Sequence, residues 1–117
     1  MHRELGPGLL ESAYHQCLKK ELELRSIYFL TEHDVNVAYK GLLLRTDLRC
    51  DLLVEDAIVI ELKATEGIAP VHMAQLITYM KLLHKPKGIL INFNCDNIFK
   101  SGQRTVVNDL FRTLPDT

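Results

Sequence analysis

After the chain-breaking Gly6-Pro7-Gly8, the apolar residues Leu10, Ala13, Tyr14, Cys17 and Leu18 recur at helical spacing. That spacing predicts a helix from about Leu9 to Leu24 with this stripe buried. Glu11 lies on the edge of the stripe, one turn before Tyr14. The stretch "IYFLTEHDVNVAYKGLLLRTD" (27–47) is rich in β-branched and aromatic residues and reads as two extended segments with a turn at Lys40-Gly41. "RCDLLVEDAIVIELKA" (49–64) reads as a buried β-hairpin. Glu66, Gly67 and Pro70 end it, and Val71 to His84 reads as a helix with Ala74, Ile77, Met80 and Leu83 spaced for burial. "KPKG" (85–88) closes that helix. "ILINF" (89–93) is too apolar for a solvent-facing strand and predicts a central strand covered on both faces. Residues 94–117 predict only a short strand or helix and a frayed tail. The order α-β-β-β-β-α-β predicts an α/β fold, with a central mixed β-sheet of about four strands flanked by helices.

Composition changes this picture little. A chain of 117 residues without repeats or linkers reads as one domain over 1–117. Its apolar runs fall far short of the roughly 20 residues that span a bilayer, and its N-terminus has no secretory pattern. Cys17, Cys50 and Cys95 are odd in number and lack CxxC spacing, which points to three buried thiols in a reducing cytoplasm. Net charge is −1, but residues 1–66 hold 8 Lys/Arg against 12 Asp/Glu, while residues 67–117 hold 6 against 3. An acidic half beside a basic half suits a metal site next to a phosphate-contacting surface, although chance suffices at this length.

The predicted hairpin carries Asp51, Glu61 and Lys63 among core residues. Burying such charges costs several kcal/mol unless they are paired or bind metal. Glu61 and Lys63 share a face because strand side chains alternate. Loop length decides whether Asp51 joins them. A two-residue turn at Glu55-Asp56 sets Asp51 opposite Ile60 and sends Glu61 to the other side. A three-residue connection, Glu55-Asp56-Ala57, sets Asp51 opposite Glu61, as does a five-residue loop. Two facing carboxylates repel unless a cation sits between them, so an odd-numbered loop and a divalent metal are expected. Hard oxygen donors suit Mg²⁺ or Mn²⁺, with Asp51 and Glu61 as ligands and Lys63 placed to orient water or neutralise a phosphate. This arrangement suits phosphodiester hydrolysis. The plain alternative is a surface-facing Glu61–Lys63 salt bridge beside an unrelated Asp51.

Asp51, Glu61 and Lys63, followed by a helix carrying Gln75 and Tyr79, resemble the PD-(D/E)XK nuclease superfamily. "GLLESAY" (8–14) is similar to the signature of the small GxxExxY proteins within it, and "YKG" (39–41), "RCDL" (49–52), "ELKA" (61–64), "HMAQL" (72–76) and "NFN" (92–94) also match. The resemblance implies a restriction-endonuclease-like core, with Asp51 and Glu61 as metal ligands and Lys63 as the catalytic lysine. It further implies Glu11 as an extra metal ligand, directly or through water, and Gln75 as a residue positioning water or phosphate. DNA or RNA would be the substrate. Members of the family begin about a dozen residues earlier, so a truncated first helix and dimerisation through the exposed apolar surface are expected. "TEHDVNV" lacks the basic residue the family places before that strand, which weakens any phosphate contact there.

Other residues carry plainer readings. Tyr14 and Tyr79 suit core aromatics with satisfied hydroxyls, and His72 suits a helix cap. Arg49 serves a surface role as readily as a phosphate contact. Lys81, Lys85, Lys87, Lys100 and Arg104 form either a diffuse backbone-binding patch or a solvated face. The competing functional class is a catalytically idle module of the same fold that binds nucleic acid or protein. It is favoured by small size and near-neutral charge, whereas the complete Asp51/Glu61/Lys63 set favours an enzyme.

Overall fold

A computed structural model describes residue 6 and residues 8–44, 48–95 and 102–108. Helix α1 (Glu11–Leu24) precedes strands β1 (Phe29–Asp34), β2 (Val37–Tyr39), β3 (Leu42–Leu44), β4 (Arg49–Val54) and β5 (Ile58–Lys63). Helix α2 (Pro70–Leu83), β6 (Lys87–Asn92) and β7 (Gln103–Val107) follow. Five strands form one sheet in the order β1-β4-β5-β6-β7, antiparallel throughout except for the parallel pair β5–β6 that α2 connects. The α/β architecture with a mixed sheet is thus as expected, with β7 supplying a fifth strand from the weakly patterned C-terminal segment. Residues 109–117 lie outside the described residues, and so does the frayed tail expected there.

Alternation sorts the core into two faces. Leu53, Val59 and Leu90 pack against Leu76, Tyr79 and Met80 of α2. Leu52, Val54, Ile60 and Leu62 pack against Tyr14 of α1 and Phe93, with Ile89 and Ile91 half-buried beside them. The central position and two-sided cover expected of the 89–93 strand are therefore observed, and the strand starts two residues earlier, at Lys87. Gly88 is needed there: a Cβ on it would stand 2.6 Å from Met80 Sδ and 2.8 Å from Leu76 Cδ1.

Each helix keeps part of its predicted stripe and departs from it elsewhere. Leu10 is the N-cap of α1, in extended backbone, and is 78% exposed rather than buried. On α2, Ala74 and Ile77 are exposed, while Leu76, Tyr79 and Met80 are buried. Tyr79, which accepts a hydrogen bond from Gln75, enters the core with Leu76 and Met80. Of the stripe expected on α2, Met80 is buried and Leu83 packs against the core, and only Ala74 and Ile77 fall outside it.

The 27–47 stretch also divides further than expected. Only β1 joins the main sheet, and β2–β3 form a separate two-stranded hairpin. Its turn falls at Lys40-Gly41 as predicted, with φ of 47° and 82°, the double positive φ of a two-residue hairpin turn. Of the three cysteines, Cys50 is buried while Cys17 and Cys95 are only half-buried, which corrects the expectation of three buried thiols.

Candidate active site

The β4–β5 register pairs Leu52 with Ile60, Leu53 with Val59 and Val54 with Ile58, around a three-residue turn at 55–57. The loop is therefore odd-numbered, and the same register carried one step further sets Asp51 opposite Glu61. Their carboxyl groups approach closely enough to share a hydrogen bond. Glu61 is 4% exposed, which removes the surface salt bridge as its explanation.

Beyond Leu52 and Ile60, side chains take over backbone hydrogen bonds. The Asp51 N–H donates to Glu61 Oε1 at 3.3 Å, and the Leu62 N–H donates to Asp51 Oδ2 at 2.7 Å. On the other side of β4, the pairs with β1 keep one register throughout and omit only Glu32, which sits at φ 47°. The acid pair lies one step past the last β4–β5 pair, Leu52 with Ile60. Burial pushes the Glu61 carboxyl up to about 8, and the neighbouring Asp51 charge adds to the rise. Burial and the Asp51 charge together thus favour the protonated form of Glu61 in the metal-free protein.

Lys63, half-buried, follows on the same face, and its charge acts on both Glu61 and Glu11. Glu11 is the first residue of α1. Partial burial of its carboxyl, then the Asp51 charge, raises its pKa, while Lys63, His15 and His72 pull it down. Glu11 thus stands in the field of the acid pair. Among the described residues, no three His, Cys, Asp or Glu side chains are gathered closely enough to hold a metal ion. From α2, Gln75 Nε2 donates to the Tyr79 hydroxyl at 2.9 Å. Burial raises the Tyr79 hydroxyl, the hydrogen bond from Gln75 lowers it, and the charges of Glu61 and Asp51 raise it further.

Neighbouring residues resolve as structural. His72 Nδ1 accepts the N–H of Ala69 at 3.1 Å, capping α2 as expected. Arg49 pairs with Asp34 at 3.2 Å across β1–β4, and both side chains are exposed. Lys85 is engaged with Asp56 at 2.8 Å, and Lys100 lies outside the described residues. Cys50 is pushed up to about 12 by burial and by Glu61 and Asp51, so its thiol is inert. A groove of about 530 Å³ between the β2–β3 hairpin and the end of α2, lined in part by His33, Lys81 and His84, includes none of the candidate residues. Sequence reasoning passed over His15, whose buried Nε2 has no hydrogen-bond partner among the described residues. Its position four residues after Glu11 was the available signal.

The family model of the PD-(D/E)XK nuclease superfamily matches residues 1–106. The chain belongs to that superfamily. PD-(D/E)XK nucleases typically use divalent metals. The chain matches no curated protein. Among solved structures it is similar to that of SSO0001, at 24% identity and a TM-score of 0.62. That match covers 82% of this chain but 48% of the other, so the chain spans about half the length of its structural neighbour, and the likeness speaks for the fold. Among the described residues, no helix is long and apolar enough to cross a membrane.

Proposed function

We propose that this PD-(D/E)XK protein is a Mg²⁺- or Mn²⁺-dependent nuclease of the small GxxExxY type, acting in the cytoplasm on the phosphodiester bonds of DNA or RNA. The observation that carries this reading is Asp51 facing Glu61 across β4–β5 with Lys63 on the same face. The donor set fits the ion: two hard carboxylates in contact, one of them buried, are stable together only when a proton or a cation lies between them. Asp51 and Glu61 would hold the metal, with Glu11 completing its surroundings directly or through water. When bound, the ion supplies Lewis acidity and a water acidic enough to ionise near neutral pH.

The chain's own residues supply the rest. Lys63 offers an ammonium group beside the acids, to orient the attacking water or offset charge on the attacked phosphate. Gln75, its amide oriented by Tyr79, positions water or a phosphate oxygen. The exposed Leu9 and Leu10 ahead of α1 suit a second copy of the chain, which sedimentation would reveal as a homodimer.

Turnover on single-stranded, double-stranded and branched DNA and RNA with Mn²⁺ tests the reading. Lys63→Ala is expected to lower it by about 10²-fold or more without unfolding the protein. Asp51→Ala is expected to abolish the rise in melting temperature that Mn²⁺ gives the wild type. Wild-type turnover no higher than that of the Lys63 variant on every substrate, together with intact binding, would instead favour an idle binding module.

A further inference from the structure

Tyr14 is fully buried and suits a core aromatic, yet its hydroxyl has a more specific use. It donates to the Gly6 carbonyl and accepts the Leu9 N–H at 3.2 Å, reaching back over the first turn of α1. The helix has no side-chain cap at Leu10, so this hydroxyl ties down a start that no capping side chain secures. The loop is shaped for the contact: Gly6 and Gly8 sit at φ 68° and 114°, conformations other residues rarely adopt. Glu11 lies between Leu9, whose N–H the hydroxyl holds, and Tyr14 itself.

The ring of Tyr14 reaches the other side of the site. It stacks on Phe93 with centroids 4.4 Å apart and planes 6° from parallel. The Phe93 N–H donates to the Lys63 carbonyl at 2.8 Å. Beside it, buried Asn92 brackets Thr65, accepting its N–H at 3.1 Å and donating to its carbonyl at 3.0 Å. One path of contacts therefore runs from the backbone of Lys63 through Phe93 and Tyr14 to the loop that launches Glu11.

We propose that Tyr14 is a positioning residue of the site, its hydroxyl and its stack on Phe93 holding Glu11 in fixed placement relative to Lys63 and Asp51. This rests on the reading of Asp51, Glu11 and Lys63 as site residues. A purely structural Tyr14 would stabilise the fold without acting through Glu11, and a double-mutant cycle separates the two.

Tyr14→Phe keeps the ring and removes only the hydroxyl. In metal-free protein, the Leu9 amide should then exchange faster with solvent. Mn²⁺ affinity, read by electron paramagnetic resonance, should fall by about 10-fold in Tyr14→Phe and by a similar factor in Glu11→Gln. The double variant should bind no more weakly than Glu11→Gln alone. Gly8→Ala is a second probe: its Cβ meets nothing within 4 Å, so it strains only the loop, and it should reproduce the Tyr14→Phe affinity. Additive losses in the double variant would overturn the proposal. Unchanged affinity in Glu11→Gln, with binding lost in Asp51→Asn, would also overturn it while leaving the nuclease reading standing. Unchanged affinity in Asp51→Asn would remove that reading and the proposal together.

Discussion

Near its turn, the β4–β5 hairpin pairs Leu52 with Ile60 and Val54 with Ile58, apolar against apolar, whereas at Asp51 and Glu61 carboxylates accept the backbone amides. The closed end also contains charge, but Asp56 there is exposed and meets Lys85 at 2.8 Å, with Glu55 N–H tied to the Tyr28 carbonyl at 2.9 Å. At the open end, Glu61 is buried against an acid of its own sign. The same two strands thus hold a satisfied structural turn and an acid pair that needs a proton or cation. Stability resides at one end and chemistry at the other.

Leu52→Ala at the closed end should cost the most, about 2–5 kcal/mol by chemical denaturation, because the side chain is fully buried between α1 and the sheet. At temperatures where the variant stays folded, its Mn²⁺-induced stabilisation should persist. Loss of that stabilisation would blur the division between the two ends.

Glu61→Gln at the open end should act in the opposite direction and with pH. The folded carboxyl is raised from 4.5 to about 8, so the metal-free fold binds more protons than the unfolded chain between those values. Wild-type stability therefore falls as pH rises through this window. Gln imitates the protonated acid: its melting temperature should match wild type near pH 4, below the unfolded value of 4.5, and exceed it by several degrees above pH 8, without metal. For the wild type, Mn²⁺ binding should strengthen as pH rises, because a metal ligand must lose its proton and the Glu61 carboxyl is raised. A pH-independent difference between the two proteins would mean that Glu61 is not the titrating group.

Asp56→Ala should do least. Its hydrogen bond to Lys85, then the Lys85 charge, lowers its carboxyl below the usual value, so any contribution is present at neutral pH and lost on acidification. The pair is exposed and screened, and the melting temperature at pH 7 should move by no more than about a degree. A larger drop would show that the closed end relies on its charges after all.

The candidate site was legible because strand alternation and loop length are local arithmetic: once three residues connect β4 and β5, Asp51 must face Glu61. The turn at Lys40-Gly41 was legible for the same local reason. Membership of the strands in sheets was not, since nothing in residues 27–47 says that β1 pairs with β4 while β2 and β3 pair only with each other. Nor could β7 be foreseen as an edge strand, because its Gln103–Val107 run acquires its role only from β6 beside it.

By itself, the sequence determined which residues could alternate, which could turn, and that Glu61 and Lys63 would share one side of a strand, with Asp51 joining them only across an odd-numbered loop. Tertiary structure alone decided which row of α2 faces inward, how deeply Glu61 is buried, and that Tyr14 bridges Phe93 to the start of α1. Local geometry is set by neighbours along the chain, whereas burial, pKa and stacking depend on partners tens of residues away that only the folded chain brings together.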